Sequence, residues 1–474
     1  MKSFFLGVVL FGSSMAQGSV FVGRPGELPV IHTDSAGRAY PARFTSPMQR
    51  EMRLRQRATL VQGSKALIDI DGANQASELV DGGRPLESLV EMDALGLRSA
   101  ALAVTPWSDD YWAIYRGGLA ARYADPERPD TVLWKDLYEY FQRHPLRTQK
   151  LRMLSPAEKY GLWIGDDEDT LTRQMWNEGR MYADSDGKVE TWMGYCHGWA
   201  PASFMERRPV RKVVVPSADG RLQLEFFPAD IKALATLLWA KASAETRFIG
   251  RRCQDKEPEM DEWGRPKKPD CFDVNAGAWH ESVVTQIGVA KRSFVIDAAF
   301  DYEVWNQPVV KYEYTYFNPK TRQSASSLQE AQVRLSDFQE DRLKAKRAAK
   351  AVALVGVIMK LTYGVESEPL QAEDESSFEE PTRTVRYMYD VELDETDRII
   401  GGEWYQAQHP DFMWVPAEGA APLTWGDQLA SDSGSTAIHM DRPLPPQWRE
   451  AAKVSVRRAQ PSLTLVRRLI RAAN

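Results

Sequence analysis

Cys196 lies in the run Trp192-Met193-Gly194-Tyr195-Cys196-His197-Gly198-Trp199-Ala200-Pro201-Ala202. A thiol preceded by glycine and an aromatic and followed by small residues predicts the first turn of a helix. There the unpaired backbone N–H groups and the positive end of the helix dipole favour a thiolate. Downstream, Asn275-Ala276-Gly277-Ala278-Trp279 reads as a turn that delivers His280 to the start of a strand. Beyond it, Phe294-Val295-Ile296 is an apolar strand closed by Asp297. Thiol, imidazole and carboxylate in that order suit nucleophilic acyl transfer. The thiolate attacks an amide carbonyl, the imidazole carries the proton and the carboxylate orients the imidazole. His197 adjoins the thiol, but successive helical residues point about 100° apart, so it is not expected to activate Cys196. Asp301 is the rival for the orienting acid. The backbone N–H of Cys196 is the natural first oxyanion donor, with the indole N–H of Trp192 or Trp176 as second.

These residues need elements to hold them. Helical spacing covers Pro85 to Leu102, Thr131 to His144, Ser155 to Gly161 and Leu171 to Asn177, all ahead of the thiol. Arg211 to Pro216 and Arg221 to Phe226 form a hairpin around Ser217-Ala218-Asp219-Gly220, and Pro228 opens a helix over Asp230 to Lys241. Strands are expected over Ser282 to Val289, Ser293 to Asp297, Val309 to Phe317, Thr384 to Glu392 and Arg398 to Trp404. Ser327 to Lys350 reads as charged helix and 366–381 as an acidic, solvated loop. The fold class is therefore α+β, a helix half and an antiparallel sheet half meeting at a cleft. The expected layout is a leader over 1–16, an extended lead segment over 17–80, a catalytic domain over 81–430 and a tail over 431–474. That tail ends in a basic amphipathic helix, Leu463 to Ala473, laid on the surface.

A net charge of −6, without a sustained basic run, argues against nucleic acid as the main partner. Lys2, the apolar run Phe4 to Phe11 and the small residues Ser14 and Ala16 read as a secretory signal peptide cut after Ala16. The expected location is extracellular or periplasmic, without an integral membrane segment. In an exported chain with three cysteines, Cys253 and Cys271 flank a polar loop and are expected to pair. That leaves Cys196 as the free thiol. No Cys/His spacing suits zinc.

Asp301-Tyr302-Glu303-Val304-Trp305-Asn306-Gln307-Pro308-Val309 closely resembles the surface peptide of the oomycete transglutaminase elicitors. Tyr195 to Pro201 is similar to that family's nucleophile motif, and Pro106 to Trp112, Gly401 to Trp404 and His409 to Phe412 also look familial. The similarity runs from about residue 100 to about 416. It implies a papain-like transglutaminase core and transfer of a glutamine γ-acyl group to a lysine or other primary amine. Cys196 carries over as nucleophile, His280 as base and acid, and Asp297 as orienter. The partners implied are proteins with exposed Gln and Lys; no organic cofactor is implied. The family is described as calcium-responsive. No EF-hand-type loop is present, and the best acidic cluster, Asp166, Asp167 and Asp169, reads as a solvated turn. After Pro308 the elicitor peptide is followed only in part, so plant recognition does not transfer.

Two other readings stay open on the sequence. The same site serves a glutamine deamidase or cysteine protease when water replaces the amine. A silent surface or adhesion protein would keep the fold alone.

Overall fold

The computed structural model describes residues 74–146, 150–255, 257–260, 266–299, 302–405, 409–432 and 437–474. The proposed leader and most of the lead segment, together with Asp301, lie outside the described residues. Along the chain run α1 (Leu89–Ala94), β1 (Ser99–Ala101), α2 (Trp134–Arg143), α3 (Pro156–Ile164), α4 (Thr170–Tyr182) and α5 (Cys196–Met205). The hairpin β2 (Val213–Pro216) and β3 (Gln223–Phe226) follows, then α6 (Pro228–Lys241), β4 (Thr246–Gly250), α7 (Ala276–Val283), β5 (Val295–Asp297) and β6 (Asn306–Phe317). Next come β7 (Ser324–Ala325), α8 (Leu328–Ala331), β8 (Gln332–Arg334), β9 (Ala353–Gly364), β10 (Thr382–Leu393), β11 (Ile399–Trp404) and β12 (Phe412–Pro416). Helices α9 (Trp425–Asp432), α10 (Pro446–Val456) and α11 (Leu463–Ala472) close the chain.

Ten strands form one antiparallel sheet in the order β11-β10-β9-β6-β5-β12-β4, with β1 and β7 on β6 and β8 on β9, and β2 and β3 form a separate two-stranded sheet. Alternation of side chains across a strand splits the core in two. Val295, Phe412 and Trp414 face the helical half, whereas Ile296, Met413 and Val415 face a second core shared with α7. The α+β class and the division into helix and sheet halves are as the sequence predicts. Among the described residues no helix is long and apolar enough to cross a membrane.

Helix α5, which starts at Cys196, packs against α6. Gly198 permits the contact: a Cβ there would lie 2.1 Å from the Thr236 carbonyl and 2.6 Å from Ala240 Cβ. Gly194 plays the same part for the turn before the helix, where a Cβ would meet the Tyr111 carbonyl and ring at 2.5 Å. The aromatic segment from Trp107 to Tyr115 then braces that turn. The Tyr195 N–H donates to Tyr111 O at 2.6 Å, Ile114 N–H to Met193 O at 2.8 Å, and the Trp199 indole to Trp107 O at 3.0 Å.

Several expectations need correction. Ser282 to Val289 is not a strand: it is the end of α7 and a π turn over Val284–Val289. Val283, Val284, Thr285 and Ile287 are all buried, a pattern that length alone separates from a buried strand. Ser327 to Lys350 is α-helical only over α8, with 3-10 turns over Leu335–Asp337 and Lys344–Lys346; Gln332–Arg334 instead pairs with β9 as β8, and Val333 and Leu343 are buried. The acidic 366–381 segment is not merely solvated. Glu375 pairs with Lys232 at 2.8 Å and Glu380 with Arg208 at 2.7 Å, and Glu380 also accepts from Ser108 N–H. The C-terminal residues carry core: α10 packs on α3 and α11 on α6, burying Trp448, Ala452, Leu465, Val466 and Leu469. At the other end Leu79 and Val80 are fully buried, so packed structure begins inside the expected lead segment. The Cys253–Cys271 disulfide is present, with Cα atoms 4.2 Å apart, and Cys196 is the free cysteine.

Gly198→Ala should therefore destabilise the protein by about 1–3 kcal/mol through overpacking. Gly161→Ala in α3, where a Cβ meets nothing within 4 Å, should be neutral or stabilise by up to about 1 kcal/mol. Urea unfolding of the two variants checks the contrast.

Candidate active site

Cys196 is the first residue of α5 and only 3% exposed. Its thiol donates to the Val304 carbonyl at 3.6 Å, and Asn306 Nδ2 donates to Sγ at 3.5 Å. Asn306 opens β6 and sits directly opposite Asp297, the last residue of β5. Directly opposed residues of an antiparallel pair share a face, and this face is the one Val295 presents to the helical half. Asp297 thus stands beside the amide that touches the sulfur. Its Oδ1 accepts from Trp305 N–H at 2.9 Å and Ala299 N–H at 3.2 Å, which anchors the carboxylate to the turn between the strands.

Burial pushes the Cys196 thiol up to about 11. The side-chain and backbone N–H groups of Asn306 oppose that rise, and the negative charges of Glu366 and Asp297 add to it. Glu366 accepts from Gln307 Nε2 at 2.7 Å, and burial lifts its carboxyl to about 8. On the opposite side, Arg252 donates to the Tyr302 carbonyl at 3.1 Å and lies over the Trp192 ring at 5.7 Å. Removal from water lowers the Arg252 pKa, and the charges of Asp297, Asp411, Tyr302 and Cys196 pull it back up. The charges of two carboxylates and one guanidinium therefore bear on the thiol.

His280 is not brought to this cluster. It lies on α7 rather than at a strand start, because Asn275 caps that helix by accepting from Gly277 and Ala278 N–H. Helix α7 packs on β10 and β11, in the second core on the other side of the sheet. The His280 Nδ1 hydrogen-bonds with the Tyr389 hydroxyl at 2.8 Å, and its ring meets Tyr314 edge-on at 4.8 Å. Sheet backbone separates it from the face that carries Cys196 and Asp297. His197 is also buried and hydrogen-bonds neither Cys196 nor Asp297. Among the described residues, no histidine hydrogen-bonds to the sulfur.

The two indoles are placed differently from each other. Trp192 Nε1 donates to Glu190 at 2.5 Å and to the Tyr302 hydroxyl at 3.3 Å, near Arg252. Trp176 packs on Phe141 and Tyr138, against Gly117, in the helical half. Neither indole nitrogen donates to Cys196 Sγ. In the acidic turn, Asp166 caps α4 by accepting from Thr170 N–H at 2.7 Å and its hydroxyl at 2.9 Å. Among the described residues no three His, Cys, Asp or Glu side chains converge as metal ligands. Asn306 and Arg252 were missed in the sequence. The cross-strand partner of Asp297 was the available signal for Asn306; Arg252 left none.

A helix-start thiol thus lies against a sheet-borne amide, itself opposite a carboxylate, between a helical and a sheet half. The sequence profile described as Transglutaminase elicitor matches residues 152–424, more than half of the chain, and the chain belongs to that family. Cys196, His280, Asp297 and Asn306 all fall inside the matched region. The crystal structure of the GP42 transglutaminase from Phytophthora sojae is similar at 22% identity and a TM-score of 0.49, covering 79% of this chain and 94% of that one. No curated protein matches the chain in sequence.

Burial lowers His280 from its ordinary 6.5 to about 3, so the folded protein holds it neutral. The folded value lies below the unfolded one. Its contribution to stability is thus complete above about pH 6.5 and is lost as pH falls toward 3. Between about pH 7 and about pH 5, His280→Gln should lose about 2 kcal/mol less stability than the wild type. His197, lowered in the same way, contributes equally to both proteins. Chemical denaturation at the two pH values measures the difference.

Proposed function

We propose that the protein is a secreted protein-glutamine γ-glutamyltransferase with Cys196 as its nucleophile. The observation that carries the reading is the position of Cys196, a lone free thiol at a helix start, pressed against the Asn306–Asp297 pair. The disulfide between Cys253 and Cys271 supports an oxidising compartment.

In the reaction, the thiol proton passes to a base and the thiolate adds to the side-chain amide carbon of a glutamine. The carbon–nitrogen bond breaks, ammonia leaves with the returned proton, and a thioester remains. A primary amine then attacks the thioester, gives up a proton, and releases the thiolate from an isopeptide product. The structure has consequences for the base. With His280 across the sheet, Asp297 is the carboxylate on the thiol's own face and takes the role assigned to the imidazole. Its charge bears on the sulfur. Arg252 offsets the negative charge that appears when the thiol proton leaves. The segment 302–305 covers the sulfur, with Trp305 held against Tyr111 at 5.4 Å. A glutamine reaches Sγ only when the Val304 carbonyl gives way.

The test is incorporation of a labelled primary amine into a glutamine donor, with ammonia followed in parallel and calcium both present and chelated. Cys196→Ala should lose several powers of ten in rate. Asp297→Asn should lose about 10²–10⁴-fold, and His280→Gln should stay within several-fold of wild type. Loss on His280→Gln with an intact fold, and activity retained in Asp297→Asn, would return the base to the imidazole. Ammonia release without amine incorporation would make the enzyme a deamidase.

A further inference from the structure

Asn306 makes two contacts that fix its amide in one orientation. Its Oδ1 accepts from the Trp414 indole at 2.8 Å, and its Nδ2 faces Cys196 Sγ at 3.5 Å. An indole nitrogen only donates, so the oxygen must face Trp414 and the NH₂ must face the sulfur. Both partners are rigidly held. Trp414 is fully buried in β12, paired with Phe248 on β4 and Val295 on β5, and Asn306 is buried at the start of β6. The side-chain donor is thereby aimed at the thiol, and the backbone N–H of Asn306 favours the anion in the same direction, while the neutral thiol spends its own hydrogen on Val304 O.

We propose that Asn306, locked by Trp414, is the residue that receives the Cys196 thiolate when the proton leaves. This rests on the reading of Cys196 as nucleophile. An N–H donor at a sulfur favours the anion over the thiol, since the thiolate is the stronger acceptor and has lost the hydrogen it gave to Val304 O. It also holds Sγ at the paired strand ends instead of letting it turn into the apolar surroundings of α5. The charged groups that bear on the sulfur are Asp297 from β5, Glu366 beyond the end of β9, and Arg252 beyond the end of β4. The two carboxylates oppose the thiolate, so the uncharged donors of Asn306 and the guanidinium must offset them. Trp414 acts one step back: without its N–H the amide is free to turn its oxygen toward the sulfur.

The experiment reads the thiol directly. The ultraviolet absorbance of the thiolate is titrated with pH, taken as the difference between each protein and its Cys196→Ala counterpart. It needs no reagent to enter the closed site. Asn306→Asp keeps the shape and still accepts from Trp414, but it puts an oxygen where the donor stood. Its midpoint should rise by about one pH unit or more, roughly tenfold less thiolate at a fixed pH below the midpoint. Trp414→Phe keeps the ring and removes only the N–H, and should raise the midpoint by a smaller amount in the same direction. Melting curves confirm that both variants are folded. The new carboxylate of Asn306→Asp would itself raise the midpoint, so Trp414→Phe, which adds no charge, is the deciding variant: an unchanged or lowered midpoint in folded Trp414→Phe overturns the proposal. If the midpoints shift as described and the wild type incorporates no amine, the acyl-transfer reading fails and the role of Asn306 stands.

Discussion

The pairing of β5 with β6 is the constraint on which the site depends. It sets Asp297 opposite Asn306 at the end of a short ladder, on the face turned to the helical half. A shift of one residue would send both side chains into the second core. Register is held from both sides. Trp414 and Val295 fill the helical face, Ile296 and Met413 fill the other, and the Asp297 carboxylate ties down the turn that returns to Asn306. Cys196 meets this ladder because α5 docks on α6 through Gly198 and is braced by the Trp107 to Tyr115 segment. Helix half and sheet half thus each supply one side of a single contact, sulfur against amide.

The same packing that positions the thiol also silences it. Burial favours the neutral form, and the Val304 carbonyl takes its hydrogen. Neighbouring carboxylates add to that preference. What opposes it is local and directional: two N–H groups of Asn306, the start of a helix, and the charge of Arg252. The thiolate is thereby confined to the geometry in which those donors are engaged. A buried thiol held neutral is protected from oxidation in the oxidising compartment that the Cys253–Cys271 disulfide suggests.

Much of this was legible in the residues, for reasons that can be named. Gly194 and Gly198 around a cysteine mark close backbone approach, and the structure shows both approaches. An apolar triplet ended by aspartate reads as a strand that delivers a carboxylate, which β5 does. The pairing of Cys253 with Cys271 followed from counting thiols. His280 was misplaced because Val283, Val284 and Ile287 form a β-branched run that reads as strand; the Asn275 cap two residues before Gly277 was the contrary signal. Once that run is a helix, it belongs to the opposite face. The last helix was legible from its amphipathic spacing; what the sequence did not show is that its apolar face, with α9 and α10, completes a core whose other residues lie hundreds of positions earlier, as where Ser462 N–H donates to the Tyr160 hydroxyl at 2.8 Å. No local pattern reports a partner so distant.

The central claim is that Cys196 carries the acyl group. Incubating the protein with a glutamine-containing peptide in the absence of amine, quenching in acid and mapping by mass spectrometry tests it most directly. The account predicts a peptide thioester on the fragment that holds Cys196, with the mass of the donor less ammonia, discharged when a primary amine is added. Amine incorporation proceeding with no adduct at Cys196, or with the adduct on another side chain, would contradict it.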